Sequence, residues 1–564
     1  MEQQNQNRHY LALTIGPIYR TMSHARSTRQ LWAASFIFST LMRALLQRLG
    51  KMEGATILSP DPALVDSEKT FYGAGIWPDR CYLELEGKPG ADTINTLIED
   101  ALKELAGLVS GGEANLSLFQ DYFRVYAIYA AYTDEELKAE EKENEEEQEK
   151  ERRRKSVIYK LNKLLDDAEL AESFVPKGRN NITSILDEKP EEHLYLLGFF
   201  KAVENSVLTY YEAEDGSKRP RIPSLLEIAS REFRRHPEAY YKEVELPVSK
   251  QVRHFRGKKN EQDELQVYIL QRLKATFPET FRQRHKYIAI VQADGDGVGK
   301  LISQIGNDTS RIQQFSGQLM AFARGAAEKV AKFGAFPIYI GGDDLLFVAP
   351  VVNEEKQTVL HLLQQLRTLF KEQSFSGVPQ VSLSFGLTVT YYKHPLEEAL
   401  NAAYSQLMYQ AKKLKTQDRA GTENKKDALA FLLETHSGTG FGASFHQGLK
   451  SYQEFADICQ LSLIQDPGFL SGFIYRLREL DALLKDAVRR NTLGAFFDQH
   501  FNELKQGDEL PGFLKKVKGF VEAVYTDYES GLPQLSEEES HSPQSELIYS
   551  ALRFAQFLNA ADHE

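Results

Sequence analysis

The chain has 564 residues, 42% of them apolar and 26% charged, with a formal net charge of −12. Roughly 150 residues per domain predicts three or four soluble domains, and no run approaches the ~18 apolar residues of a membrane span. The acidic balance argues against a freestanding nucleic-acid binder, which carries a basic excess, but leaves room for a subunit that shares RNA contacts with partner chains.

Residues 9–15, HYLALTI, predict a strand, broken by Gly16-Pro17. One long helix is expected from about Ile18 to Leu49. Ala55–Leu58 and Cys81–Leu85 predict strands, and Ala91–Val109 a helix with Ile94, Leu97, Ala101, Leu102 and Leu105 on one face. Residues 1–115 therefore read as a small α/β sandwich. From 116 to 280 the pattern reads as helical. Within it, Asp134–Lys155 is a charged, solvated insertion. Gly216–Pro223 and Arg253–Lys259 are basic loops, exposed surface by default or an RNA-facing edge.

Residues 281–436 predict a second unit. Lys286–Gln292 is a buried strand, ADGDGVGK a turn, and Arg311–Phe333 a helix. Phe336–Ile340 and Leu345–Ala349 are strands joined by GGDD. Glu354–Lys371, Val381–Thr390, Pro395–Lys415 and Asp427–Leu433 follow as helix, strand, helix and strand. That order predicts an antiparallel-rich sheet with helices on one face. Residues 437–564 read as all-helical, entered through a hinge at Gly438–Gly442 and carrying an acidic loop at Ser536–Ser540. The fold class expected is α+β. The two cysteines, Cys81 and Cys459, lie too far apart for a disulfide framework or a cysteine zinc site, and read as buried thiols. The N-terminus has neither the basic start nor the apolar core of a signal peptide, so a cytoplasmic protein is expected.

The chemistry concentrates in PIYIGGDDLLFV. Gly341 and Gly342 can supply the positive φ of a tight hairpin and let backbone approach a polyphosphate. Asp343 and Asp344 then sit at the tip, where core packing does not explain them. Adjacent carboxylates repel unless a cation lies between them. Asp294 and Asp296 end the first strand of the same unit, and that strand should lie beside the hairpin. Asp294 meeting Asp343 and Asp344 predicts a hard-cation site for two Mg2+ or Mn2+ ions, which would activate an attacking hydroxyl and stabilise leaving pyrophosphate. Lys412, in LMYQAKK, is a candidate for the phosphates, or simply a helix C-terminal lysine. Lys300 is a second candidate. Ser384, alternating with Ser382 in VSLSFG, can bond a base or ribose, or belong to an ordinary half-polar strand.

YIAIVQADGDGVGKL, PIYIGGDDLLFVAP, VSLSFGLTV and LMYQAKKLK, in that order, resemble the polymerase/cyclase palm of the large subunit of type III CRISPR effector complexes. Leu11–Leu41 and the GIWPDR loop, Gly75–Arg80, resemble that family's other palm, in its Cmr (III-B) branch. The resemblance implies two facing ferredoxin-like palms, a helical insertion between them and a C-terminal helical domain. It implies polymerisation of ATP into a cyclic oligoadenylate second messenger when the complex captures target RNA, and partnership with the other subunits and guide RNA. Asp294, Asp343 and Asp344 would hold the metals, Gly341 and Gly342 would shape the turn, and Lys412 would meet the triphosphate. The N-terminal palm, without a GGDD, would bind the second nucleotide.

The chain departs from many relatives in two ways. No His-Asp pair of an HD nuclease is found, so no DNase activity is expected, and two cysteines cannot build a zinc element. Some HD-lacking relatives are thought to join ATP to S-adenosylmethionine, and the acceptor stays open. Two rivals remain. One is a diguanylate-cyclase-like enzyme, whose hairpin is usually GGDEF or GGEEF. The other is a non-catalytic scaffold.

Overall fold

β1 (Asn7–Gly16) alternates Leu11, Leu13 and Ile15 with Tyr10, Ala12 and Thr14, so its period of two presents a buried residue to each face. The computed structural model describes residues 7–65, 71–108, 116–142, 144–171, 209–212, 218–233, 261–373, 381–436, 438–460, 467–501, 510–533 and 542–562. The long helix expected after β1 is two helices, α1 (Ile18–Ser23) and α2 (Thr28–Leu49). The break has a local cause: the Ser27 hydroxyl accepts from the Gln30 N–H and caps a new start. β2 (Ala55–Ser59), β3 (Arg80–Leu85), α3 (Ala91–Leu108), α4 (Leu116–Tyr122) and β4 (Arg124–Thr133) complete the first unit. Its sheet order is β2-β3-β1-β4, antiparallel throughout, which is the ferredoxin-like plan.

β4 corrects the expected boundary at 115 and the expected helical character beyond it. It pairs with β1 from Asn7↔Thr133 to Gly16↔Arg124. Its Val125, Tyr126, Ile128, Tyr129 and Tyr132 are strand formers, while the alanines among them blur the period.

The insertion begins with α5 (Asp134–Leu137), α6 (Glu145–Lys155) and α7 (Val157–Ala171). α7 covers the second face of the first sheet. Its Val157, Ile158, Leu161 and Leu165 pack with Tyr10, Ala12, Leu58 and Tyr82. Asn307 clasps this segment to the second unit, donating to the Leu137 and Lys155 carbonyls and accepting from the Val157 N–H. β5 (Thr209–Glu212) and β6 (Lys218–Arg221) form a hairpin, so part of the basic stretch Gly216–Pro223 is strand. α8 (Leu225–Ala229) and α9 (Glu261–Thr276) follow. Arg253–Lys259 and Ser536–Ser540 lie outside the described residues.

The second unit runs through β7 (Tyr287–Asp296), α10 (Val298–Ile305), α11 (Thr309–Lys332), β8 (Phe336–Gly341), β9 (Asp344–Pro350), α12 (Val359–Glu372), β10 (Ser382–Tyr391) and α13 (Leu396–Ser405). A π turn, Gln406–Ala411, extends α13. The strands β8-β9-β7-β10 repeat the order of the first sheet. After the small hairpin β11 (Lys415–Gln417) and β12 (Glu423–Lys425), the sheet gains β13 (Ala428–Glu434), parallel to β10, and β14 (Gly440–His446). β14 corrects two expectations. The sheet continues past 436, and Gly438–Gly442 leads into a strand rather than hinging a helical domain. Gly442 is needed there, because a Cβ would overlap the Phe431 carbonyl. Helices α14 (Lys450–Ile458), α15 (Pro467–Glu479), α16 (Asp481–Arg489), α17 (Leu493–Phe501), α18 (Leu510–Asp527) and α19 (Pro543–Asn559) close the chain. Both cysteines are buried. Among the described residues no helix is long and apolar enough to cross a membrane.

The two palms touch through main chain. The Gly75 N–H donates to the Ile338 carbonyl at 3.3 Å, and the Ile340 N–H donates to the Gly75 carbonyl at 2.9 Å. Trp32 Nε1–H bonds the Gly73 carbonyl, and Ser39 Oγ accepts from the Trp77 N–H. These bonds hold the GIWPDR loop against the edge of β8, beside the hairpin tip.

Candidate active site

β7 ends in Asp-Gly-Asp, and register decides what meets there. Asp294 lies opposite Ser384 and Asp296 opposite Ser382 on β10. On the other side Ala293 pairs with Leu345, which brings Asp344 level with Asp294. Gly341↔Asp344 closes a two-residue turn, and Gly342 takes φ 68°, where a glycine is at no cost. Gly295 is equally constrained, because a Cβ there would run into the Asp343 carboxylate.

Strand register places the three predicted carboxylates at neighbouring positions. Asp344 and Asp294 are close enough for their charges to act on each other. Burial first, and then the Asp294 charge, push the Asp343 carboxyl up to about 6; backbone N–H groups and Lys412 restrain it. Asp344 faces open cleft, so solvent reaches it although protein surrounds it. That surrounding protein, then Asp343 and Asp294, raise its carboxyl well above the usual range. Because water still reaches Asp344, charge repulsion is the stronger cause, and a cation relieves it. Among the described residues no group of three or more His, Cys, Asp or Glu is already converged as an ion's ligand set. The donor chemistry nonetheless fits a hard divalent ion: the groups are carboxylates that repel one another, and such an ion would relieve that repulsion.

Linkage gives this a measurable sign. A carboxyl raised to about 6 contributes stability that is fully present below its unfolded value near 3.8 and is lost as pH rises through about 6. Mg2+ should therefore raise the melting temperature more at about pH 7.5 than at about pH 5. Thermal shift with and without Mg2+ checks this. Equal shifts at both pH values, or an undiminished shift in Asp343→Asn, would refute it.

Lys412 is brought to the site, but not as a free phosphate hook. Its Nζ donates to the Asp294 and Gly295 carbonyls, each at 2.8 Å, and to Asp296 Oδ1 at 2.9 Å, and it pairs with the Asp294 carboxylate. Burial works against the ammonium, yet Asp296 and Asp294 outweigh it and raise its pKa. The π turn sets its position. Gly386 on β10 allows this, since a Cβ would overlap the Ala403 carbonyl and the Leu407 N–H. A π turn at such a place is a common device of functional sites.

Ser384 does not face a nucleotide. It is 0% exposed, its hydroxyl donates to Asp296 Oδ2, and it accepts from the Ala428 N–H. The strand face that carries it points into the fold at this level. Lys300 on α10 is also elsewhere, paired with Glu149 of α6 at 3.0 Å. The charged insertion is thus docked on the second palm rather than simply solvated.

Two acids carry more than the sequence suggested. Asp296, 3% exposed as a side chain, receives Ser382, Ser384, the Asp427 N–H and Lys412. It positions Lys412 and leaves Asp294 to face the cleft. Asp79, from the GIWPDR loop, is the other. The charges of Asp344, Asp79 and Asp343 all act on the Tyr339 phenol, so the three lie around one ring. Solvent reaches Asp79, yet the protein packed around it raises its carboxyl; Arg80 offsets part of this, and Glu169 and Asp166 add to it. Counting back from the paired positions Leu13↔Cys81 and Ala293↔Leu345, Asp79-Arg80 occupies in the first palm the place of Asp343-Asp344. Arg80 is bound to Asp166, Glu169 and Asn162 of α7, and Thr14 donates to Glu169. The adjacent Asp-Arg pair in GIWPDR was the available signal for this rim.

Residues 287–421 match the Cas10/Cmr2 second palm domain, and residues 10–107 match the N-terminal region of CRISPR-associated protein Cmr2. Over 271 residues the chain is 28% identical to the CRISPR system Cmr subunit Cmr2 of Pyrococcus furiosus, covering 42% of this chain and 29% of that relative's length. The fold is similar to a chain of the type III-B Cmr-beta complex in its apo state, with TM-score 0.55 and 12% identity over 98% of this chain and 82% of the other. It is similar also to a chain of Cmr-beta bound to cognate target RNA, with TM-score 0.50 and 12% identity over 98% and 84%.

Proposed function

The chain is a large subunit of the Cmr (III-B) kind, with the Cas10/Cmr2 palm, and from that premise we propose that its GGDD hairpin catalyses RNA-activated nucleotidyl transfer from ATP to make a cyclic oligoadenylate. The observation that carries this reading is the cluster of Asp294, Asp343 and Asp344, held together while short of positive charge. Asp294, Asp343 and Asp344 would hold two Mg2+ or Mn2+ ions, which when bound supply a Lewis acid for the α-phosphate and a lowered pKa for the attacking hydroxyl. Gly342 leaves room for the polyphosphate at the tip, whereas the space beside Gly341 is filled by the Tyr339 ring rather than left for a ligand. Asp296 and Lys412 fix Asp294 in place from behind. The acceptor 3′-hydroxyl, presented from the first palm, attacks the α-phosphorus. A new phosphodiester forms, pyrophosphate leaves, and the hydroxyl proton passes to solvent. The partners are the other subunits of a type III complex, with guide RNA and target RNA engaged through them, and the site of action is the cytoplasm.

A second reading, ATP joined to S-adenosylmethionine, is favoured by one feature. The first-palm rim carries Asp79, Asp166 and Glu169 against a single Arg80. Such an acidic rim suits a cationic acceptor better than a second triphosphate. The test is mass spectrometry of products from the assembled complex with target RNA, Mg2+ and ATP, with and without S-adenosylmethionine. Cyclic oligoadenylate in both reactions supports the first reading. An adenylylated product that needs S-adenosylmethionine supports the second. Consumption of GTP without RNA would favour a diguanylate-type enzyme, and no product under any condition a scaffold.

A further inference from the structure

Tyr19, Tyr404 and Tyr409 are exposed by 59%, 36% and 57%, although tyrosine usually covers most of its ring. They come from both palms: Tyr19 from α1, Tyr404 from α13 and Tyr409 from the π turn. Yet they stand in a row. The Tyr19 and Tyr404 ring centres are 6.2 Å apart, and those of Tyr404 and Tyr409 6.4 Å. Tyr19 Oη donates to Asn401 Oδ1 at 2.6 Å, which fixes the seam between the palms. Lys413 Nζ lies 4.9 Å from the Tyr409 ring centre. Arg20 beside Tyr19 is exposed, and beyond Lys413 the chain exposes Lys415 and Lys426. Glu397 is a carboxylate that acts on the Tyr19 phenol. On a chain of net charge −12, three open rings, set at 54° and 86° to one another with Lys413 over the last of them, form a local exception.

We infer that the Tyr19–Tyr404–Tyr409 row, with Lys413, is a stacking surface for unpaired RNA bases. Aromatic faces that accept successive bases, with cations for the backbone, are what single-stranded nucleic acid needs, and stacking is tolerant of sequence. A base-paired helix hides those faces, so the surface selects unpaired segments. Its location has a consequence. Tyr409 and Lys413 lie on the outer side of the same turn that aims Lys412 at Asp294 and Asp296. RNA stacked there would bear on the turn that orders the carboxylates.

The surface does not depend on which reaction the palm catalyses, so it is tested without nucleotide. Fluorescein-labelled single-stranded RNA of mixed sequence is titrated with the full chain at low salt, and binding is read by anisotropy. Tyr404→Ser with Tyr409→Ser should weaken binding by about tenfold or more, whereas Tyr404→Phe with Tyr409→Phe should leave it within about twofold. Blunt duplex RNA should compete poorly, and 4-thiouridine RNA should crosslink to the segment 404–413. Absence of binding by the wild-type chain, wild-type affinity in the serine variant, or equal competition by duplex RNA would overturn the inference.

Discussion

Replacing Asp343 and Asp344 together by alanine is expected to lower nucleotidyl transfer by about a thousandfold or more while the protein stays folded. The two carboxylates sit at the end of a hairpin whose strands are secured by Leu345, Phe347, Val348 and Ile340 in the core. Asp343 accepts from backbone N–H groups, that of Gly295 among them, but the mutual repulsion of the carboxylates works against the metal-free fold. Removing them should therefore leave the melting temperature unchanged or higher without Mg2+, and abolish the Mg2+-dependent shift. Pyrophosphate release from ATP by the assembled complex with target RNA measures the first effect, and thermal shift the second. Retained turnover would remove the hairpin from catalysis. A large fall in melting temperature would mean that the carboxylates are structural.

Replacing Lys412 by methionine should behave oppositely, costing stability as well as activity. The ammonium is the counter-charge for Asp294 and for Asp296, which is 3% exposed as a side chain. Its loss leaves Asp296 with neutral donors only, from Ser382, Ser384 and the Asp427 N–H. Breaking one side of a buried ion pair costs about 3–5 kcal/mol. The lower end applies here, since Asp294 is 33% exposed and partly screened. About 3 kcal/mol corresponds to a fall of roughly 6–12 °C in melting temperature for a unit of this size. Asp296→Asn in the same chain should recover most of that stability but not the activity, because Asp294 remains unpositioned. If Lys412 served only to bind triphosphate, the melting temperature would not move and only KM for ATP would rise.

The GGDD hairpin and Asp294 were legible because they violate local expectation. Charged residues between two apolar strands have no packing role, and the order strand-helix-hairpin-helix-strand places the first strand beside the hairpin. Lys412 was legible as a cation near the phosphates' place, but its partners were not. Whether a lysine reaches solvent or turns back onto Asp294 and Asp296 depends on the π turn, and a single π turn leaves almost no trace in hydrophobic period. Ser384 failed for a similar reason. Alternation shows which residues share a strand face, and not whether Asp296 already lies across that face to take their hydroxyls. Lys300 was assigned to the phosphates because its loop is close in sequence, whereas α6 arrives from 150 residues upstream to pair with it.

By itself the sequence determined the local matters: a small α/β unit at the start, an antiparallel-rich sheet with helices on one face in the second unit, a carboxylate hairpin with an acidic strand end beside it, buried thiols and an acidic surface. These follow from period, turn chemistry and charge, each readable within a short window. Tertiary structure alone decided which groups share the cleft. β4 and β14 joined their sheets through pairing with distant strands, the GIWPDR loop brought Asp79 to the hairpin through Gly75, and Asp296 took Lys412. Each of these rests on hydrogen bonds or charges between residues far apart in the chain, where short-range pattern carries no information about the partner.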